Sequence, residues 1–142
     1  MNTRILLADD QRATRKIIAA VISNQPGMKV VAEADNGLEA FKMTRELKPD
    51  VIIMDINMPI LNGIDATRLI AADFPEIKIL GLSIYSDCQF VGSMLDAGAA
   101  GYLLKDQVYE ELIRAIRSVV ADRIYICPDI HCAVTEDCGL TL

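Results

Sequence analysis

Val51-Ile52-Ile53-Met54-Asp55-Ile56-Asn57-Met58-Pro59 is the stretch that decides how this chain folds. Four apolar residues run without polar alternation into a carboxylate, and Pro59 forbids continuation of a strand. A run of this kind reads as a strand buried on both faces of a parallel sheet. Such a strand delivers Asp55 at its carboxyl end, the edge where open α/β sheets bind their ligands. An aspartate there is either a helix cap or a working group, and the rest of the chain decides between the two.

With 142 residues, the chain is one domain, large enough for a single core without metal or disulfide support. No apolar run approaches the ~18 residues of a membrane span. The N-terminus lacks a signal-peptide pattern, because Ile5-Leu6-Leu7-Ala8 runs straight into two acids. A cytoplasmic protein with reduced cysteines and no membrane partner is expected. The net charge of −6 argues against nucleic-acid binding by this chain itself.

Outward from the central stretch, strand and helix patterns alternate. Arg4 to Ala8 is a first strand ending in Asp9-Asp10, and Gln11 to about Asn24 a helix with Ile17, Ile18, Val21 and Ile22 as its apolar stripe. Met28 to Ala34 is a second strand whose Lys29 and Glu33 suggest an exposed edge. Asn36-Gly37 opens a helix to about Leu47, and Asn62-Gly63 opens another to about Asp73. Ile77 to Leu82, Ser86 to Ala97 and Gly101 to Leu104 continue the series, and Asp106 is expected to cap a last helix through Val119. Five strands and five helices in alternation imply a doubly wound parallel sheet of flavodoxin-like order 2-1-3-4-5.

That order makes strands 1 and 3 neighbours and gathers Asp9, Asp10 and Asp55. Unit like charges 4 Å apart repel by roughly 4 kcal/mol at an effective dielectric near 20. A fold holds such a group with a cation, a shifted pKa or both, and an all-oxygen set suits Mg²⁺. Ser83 and Lys105 end the next two strands. A carboxylate, a hydroxyl, an ammonium and a Mg²⁺-competent acid pair are the parts for phosphoryl transfer to Asp55.

ILLADD, VIIMDINMPILNG, ILGLSIYSD and DAGAAGYLLKD occur in this order, and over Thr3 to Ala121 the chain resembles the receiver domain of bacterial two-component response regulators. The resemblance implies that Asp55 is the phosphoacceptor for a cognate sensor histidine kinase. It implies that Asp10, Asp55 and the backbone carbonyl of Asn57 hold Mg²⁺, with Asp9 acting directly or through water. Ser83 and Lys105 then contact the phosphoryl group, and Tyr102 matches the aromatic that turns inward on activation. The protein would promote only its own aspartyl phosphorylation and dephosphorylation, and would not be an enzyme with a separate substrate. Ile84 stands where many members carry alanine, and Asp106 where a proline is common.

LSIYSD and GYLLKD resemble the subclass with a LuxR-type helix-turn-helix output. Residues 1–122 would be the receiver and 123–142 a linker, partly ordered near Ile124 to Pro128. DNA would be bound through an output domain beyond Leu142, and phosphorylation would favour a homodimer through the helix 4–strand 5–helix 5 face, with Phe90, Val91 and Tyr109 exposed. Helix 1 with helix 5 is the other candidate surface.

Blander readings stand beside these. Asp10 could only cap helix 1, Lys105 could be a surface lysine, Ser83 a strand-end hydroxyl, and Tyr102 a strand residue that never switches. Cys127, His131, Cys132 and Cys138 lack paired metal-ligand spacing and read as linker. A stand-alone receiver or phosphorelay shuttle is the alternative function. An FMN carrier is disfavoured because acids after strand 1 would repel its phosphate.

Overall fold

A computed structural model of the protein describes residues 2–85, 88–128 and 130. The elements are β1 (Thr3–Ala8), α1 (Arg12–Ser23), β2 (Met28–Ala34), α2 (Gly37–Leu47), β3 (Val51–Asp55), α3 (Gly63–Asp73), β4 (Lys78–Ser83), α4 (Cys88–Ala97), β5 (Gly101–Leu104), a 3-10 turn (Lys105–Gln107), α5 (Val108–Val120) and β6 (Tyr125–Ile126). All strand pairs are parallel, in the order β2-β1-β3-β4-β5-β6. This is the expected doubly wound sheet with one strand added at its edge.

Every residue of β3 is buried. Val51, Ile52, Ile53 and Met54 each gain about 1.5–3 kcal/mol from leaving water, so the strand that carries Asp55 is among the most firmly held in the sheet. The helices form where their apolar faces meet the sheet. Ile18 and Ile22 bury on α1, Val91 and Met94 on α4, and Val108, Leu112, Ile116 and Val119 on α5. β2 lies at the edge, with Lys29 and Glu33 exposed as its sequence suggests.

Two expected starts of helices have side-chain caps. The side chains of Asn36 and Asn62 accept the backbone N–H of Glu39 and Asp65 at 2.8 and 2.9 Å, the usual way to satisfy a free N-terminal donor. The expected cap on α5 is not formed. Asp106 lies exposed inside the 3-10 turn, and Gln107 takes the cap position without a capping bond. The Gln107 side chain is turned instead toward the Cys127 thiol.

Three expectations of exposure are corrected. Val91 is buried rather than exposed, because α4 packs it against the sheet, and Phe90 is only half-buried. Ile17, placed in the α1 stripe, is 41 % exposed, one position off the buried Ile18–Ile22 row. Tyr109 is exposed as expected.

The segment after α5, expected to be partly ordered near Ile124 to Pro128, adds a strand that was not expected. Tyr125 and Ile126 form β6 on the open edge of β5, and Tyr125, Cys127 and Ile130 join the core. Gly101 is what allows the approach, since a Cβ there would lie 2.6 Å from the Tyr125 carbonyl oxygen. His131, Cys132, Cys138 and Gly139 to Leu142 lie outside the described residues.

Candidate functional site

The sheet register assembles the site. Ala8 pairs with Met54, Asp55 with Leu82, and Ser83 with Leu104. Asp9, Asp55, Ser83 and Lys105 therefore leave four strands at one edge of the sheet. Asp10, Gln11, Asp55, Asn57, Ser83, Ile84, Tyr85 and Lys105 line a cavity of about 140 Å³ there, and Asp9 is buried against Lys105. A larger cleft of about 620 Å³ opens at the opposite edge, where Lys78 pairs with Asp122 at 2.6 Å. Two of the convergent carboxylates, Asp10 and Asp55, line the smaller one beside Lys105, so chemistry rather than size marks the site.

Asp9, Asp10 and Asp55 each offer a carboxylate oxygen, and these lie within 4.8 Å of one another. Asp9 and Asp55 are buried and Asp10 is exposed. Lys105 reaches in from the end of β5, with Nζ 3.0 Å from Asp9 Oδ2 and 3.4 Å from Asp55 Oδ1. One ammonium thus pairs with two of the three clustered carboxylates. Burial, reinforced by Asp9 and less by Asp10, pushes the Asp55 carboxyl up from its ordinary 3.8 to about 7, against the pull of Lys105. Burial works to lower Lys105, but its bonds and attraction to Asp9 and Asp55 win and raise it.

Asp9 does not cap α1 in the ordinary way. Its Oδ1 accepts the Gln11 N–H at 2.8 Å, and Arg15 donates to its backbone carbonyl. Among the described residues its buried Oδ2 is met by the Lys105 ammonium alone, at 3.0 Å. A buried oxygen so placed, beside two more carboxylates, fits a hard divalent cation. The donor set of Asp9, Asp10 and Asp55 therefore suits Mg²⁺, which would neutralise charge that Lys105 alone leaves unbalanced. Asp10, read also as a helix cap, makes no capping bond to α1, whose cap position is Gln11.

Ser83 is buried, and its Oγ accepts the Tyr85 N–H at 3.0 Å. Its hydroxyl hydrogen remains available for another acceptor. Tyr85 is the residue that sequence reasoning missed. Its hydroxyl accepts from the Asn57 side-chain amide at 3.1 Å, bridging the mouth of the cavity, and its ring stacks on Phe90 with centroids 4.7 Å apart. Its carbonyl accepts the Tyr102 hydroxyl at 2.9 Å. Tyr102 is fully buried behind the cavity rather than in its lining. In this structure its ring already points inward, with its hydroxyl donating to the Tyr85 carbonyl.

The fold and this acid-and-lysine edge define the class of protein. Residues 5–117 match the response regulator receiver domain, and the chain belongs to that family. It is 35% identical to the transcriptional regulatory protein LnrK of Bacillus subtilis over 127 residues, which is 89% of this chain and 58% of that protein. It is 40% identical to the response regulator GacA of Pseudomonas viridiflava over 127 residues, 89% of this chain and 59% of GacA. The chain thus spans less than two thirds of the length of these relatives. Among solved structures, a LuxR-family two-component response regulator from Aurantimonas sp. superposes with TM-score 0.90 at 35% identity, covering 96% of this chain and 98% of that one. The response regulator domain of Thermotoga maritima CheB gives TM-score 0.80 at 36% identity, over 85% of this chain and 98% of that one.

Proposed function

We propose that the domain is a phosphorylation-controlled switch in which Asp55 accepts a phosphoryl group from a sensor histidine kinase. The observation that carries this reading is the Asp55 carboxylate held 3.4 Å from Lys105 beside Asp9 and Asp10 at the edge of the sheet. In the proposed step, an Asp55 carboxylate oxygen forms a bond to phosphorus as the bond to the donor breaks in line. Asp10, Asp55 and the Asn57 carbonyl, with Asp9 directly or through water, would hold Mg²⁺, which would supply charge neutralisation at the phosphoryl oxygens. Lys105 stabilises a further oxygen, and Ser83 donates its hydroxyl hydrogen to another. Burial pushes the Asp55 carboxyl up, and a bound cation would favour its charged form.

The family relatives named as transcriptional regulators support a role inside a DNA-binding regulator, with residues 1–122 as receiver and the residues after them as its connection to an output domain. Tyr102, through Tyr85, would report the state of Asp55 to the face formed by α4, β5 and α5. A homodimer formed on phosphorylation is part of this reading. The apolar surface available for it includes Tyr109 on α5, or alternatively Ile17 on α1 and Val120 on α5. A cytoplasmic location fits this role, and no described helix is long and apolar enough to cross a membrane.

Incubation with acetyl phosphate and Mg²⁺, followed by intact mass measurement, tests the central step. One added phosphoryl group is expected in the wild type and none in Asp55→Asn. Labelling that persists in Asp55→Asn overturns the assignment.

A further inference from the structure

We infer that β6 is an output element of the domain: the segment from Tyr125 to Cys127 is held on β5 in register with Tyr102, and phosphorylation of Asp55 sets how firmly it is held. This rests on the function proposed above and names the part of the chain that carries the signal onward.

The dock is a built one. Tyr125 donates its N–H to the Ala100 carbonyl at 3.0 Å, and Cys127 donates its N–H to the Tyr102 carbonyl at 3.1 Å. The Tyr125 hydroxyl donates to the buried Glu111 carboxylate on α5, and the Cys127 thiol meets Gln107. Gly101 leaves the room in which the Tyr125 backbone lies. Yet the strand is only two residues long, and so short a pairing is marginal on its own. An element with little intrinsic stability opens locally at low cost, so a modest bias from elsewhere shifts its population.

A continuous set of bonds leads from the cavity to that strand. Ser83 lines the cavity and its Oγ accepts the Tyr85 N–H. The Tyr85 carbonyl accepts the Tyr102 hydroxyl, and the Tyr102 carbonyl accepts the Cys127 N–H. When Ser83 donates its hydroxyl hydrogen to a phosphoryl oxygen, Oγ becomes fixed while it still accepts from Tyr85. Tyr85 is then fixed in turn, Tyr102 is held inward, and the acceptor for Cys127 stays in place. Phosphorylation therefore tightens β6 and the Cys127 bond that follows it without any large displacement.

Residue-resolved hydrogen exchange on the full chain tests this, with beryllofluoride and Mg²⁺ as the probe and site occupancy read separately by fluorine NMR. Exchange at the Cys127 amide should slow about fivefold or more, the lower end of ordinary coupling between sites, while the α1 amides of Ile18 and Ile22 stay unchanged. Tyr102→Phe keeps the ring but loses the bond to Tyr85; it should still take up beryllofluoride and lose the slowing. Tyr125→Phe should speed exchange at the Tyr125 and Cys127 amides with or without the probe. Full occupancy with unchanged or faster exchange at Cys127 overturns the inference, as does an undiminished slowing in Tyr102→Phe. Absence of occupancy in the wild type overturns the function reading, and this inference with it.

Discussion

Lys105 and Asp55 meet across an intervening strand: Nζ lies 3.4 Å from Oδ1 although β4 separates β3 from β5. Adjacent strands are about 4.8 Å apart, so only a long flexible cation could span the gap. The same ammonium continues to Asp9 at 3.0 Å. Lys105 thus spans the sheet edge from β5 toward β1, and its position at the end of a short buried strand is what aims it.

Lys105→Met should therefore destabilise the protein in chelator at pH 8. Removing one partner of a buried pair costs about 3–5 kcal/mol; here a smaller loss of about 1–3 kcal/mol is expected, because Asp55 can take up a proton instead. The loss should shrink at pH 5, where Asp55 is already neutral. Urea unfolding at the two pH values measures it, and equal midpoints for variant and wild type at pH 8 would sink the idea.

The raised pKa of Asp55 also fixes a sign for the wild type without metal. Between about 4 and 7 the folded protein holds a proton on Asp55 that the unfolded chain releases, given a folded value near 7 against an ordinary 3.8. Stability then falls as pH rises through that window, because the folded state binds more protons than the unfolded. Each tenfold difference in proton affinity between the two states is worth about 1.4 kcal/mol, so a decline on the order of 2–4 kcal/mol is expected in chelator. Asp55→Asn should flatten it. A wild-type profile level from pH 4 to 7 would contradict the burial of a titrating Asp55.

The central strand and its aspartate were legible in the sequence because a both-faces-buried strand has a distinctive apolar run. Asn36-Gly37 and Asn62-Gly63 were legible as helix openings because capping chemistry is local. β6 was not, since Tyr125-Ile126 is too short to show a period and its partner Glu111 lies fourteen positions away. Tyr85 was missed for a like reason: what marks it is a hydroxyl paired with Asn57 at a separation of 28 residues. The inward Tyr102 donates to the Tyr85 carbonyl, a backbone atom that no residue type announces. Asp106 misled because its capping propensity lost to a 3-10 turn.

Magnesium should raise the melting temperature relative to chelator, since Lys105 offsets only one of three carboxylates. The gain should grow with pH as Asp55 ionises. Asp10→Asn removes the exposed ligand and leaves the buried pair in place, so it should reduce the gain and slow phosphorylation without unfolding the domain. Differential scanning calorimetry across Mg²⁺ concentrations checks this, and the same shift in wild type and variant would count against Asp10 as a ligand.

A residue outside the cavity should matter as much as those within it. Gly63 opens α3, and a Cβ built there falls 1.9 Å from the Asp55 carbonyl oxygen, 2.8 Å from its carbon and 2.9 Å from the Ile56 Cα. All three are backbone atoms of the strand end, which cannot rotate aside as a side chain would. Gly63 also donates its N–H to the Ile56 carbonyl at 2.8 Å, tying α3 to the loop behind the acceptor. Gly63→Ala should therefore cost about 3 kcal/mol or more, at or above the usual range for overpacking, and should slow phosphorylation of whatever remains folded by shifting Asp55. Gly27→Ala makes the contrast: Gly27 has φ +84° but open space around its Cβ position, so only the left-handed backbone penalty of about 1–2 kcal/mol applies, and phosphorylation should be untouched. Urea midpoints and acetyl phosphate labelling on both variants test the pair. Equal losses of stability, or normal labelling kinetics in Gly63→Ala, would show that the contact at Asp55 does not set the position of the acceptor.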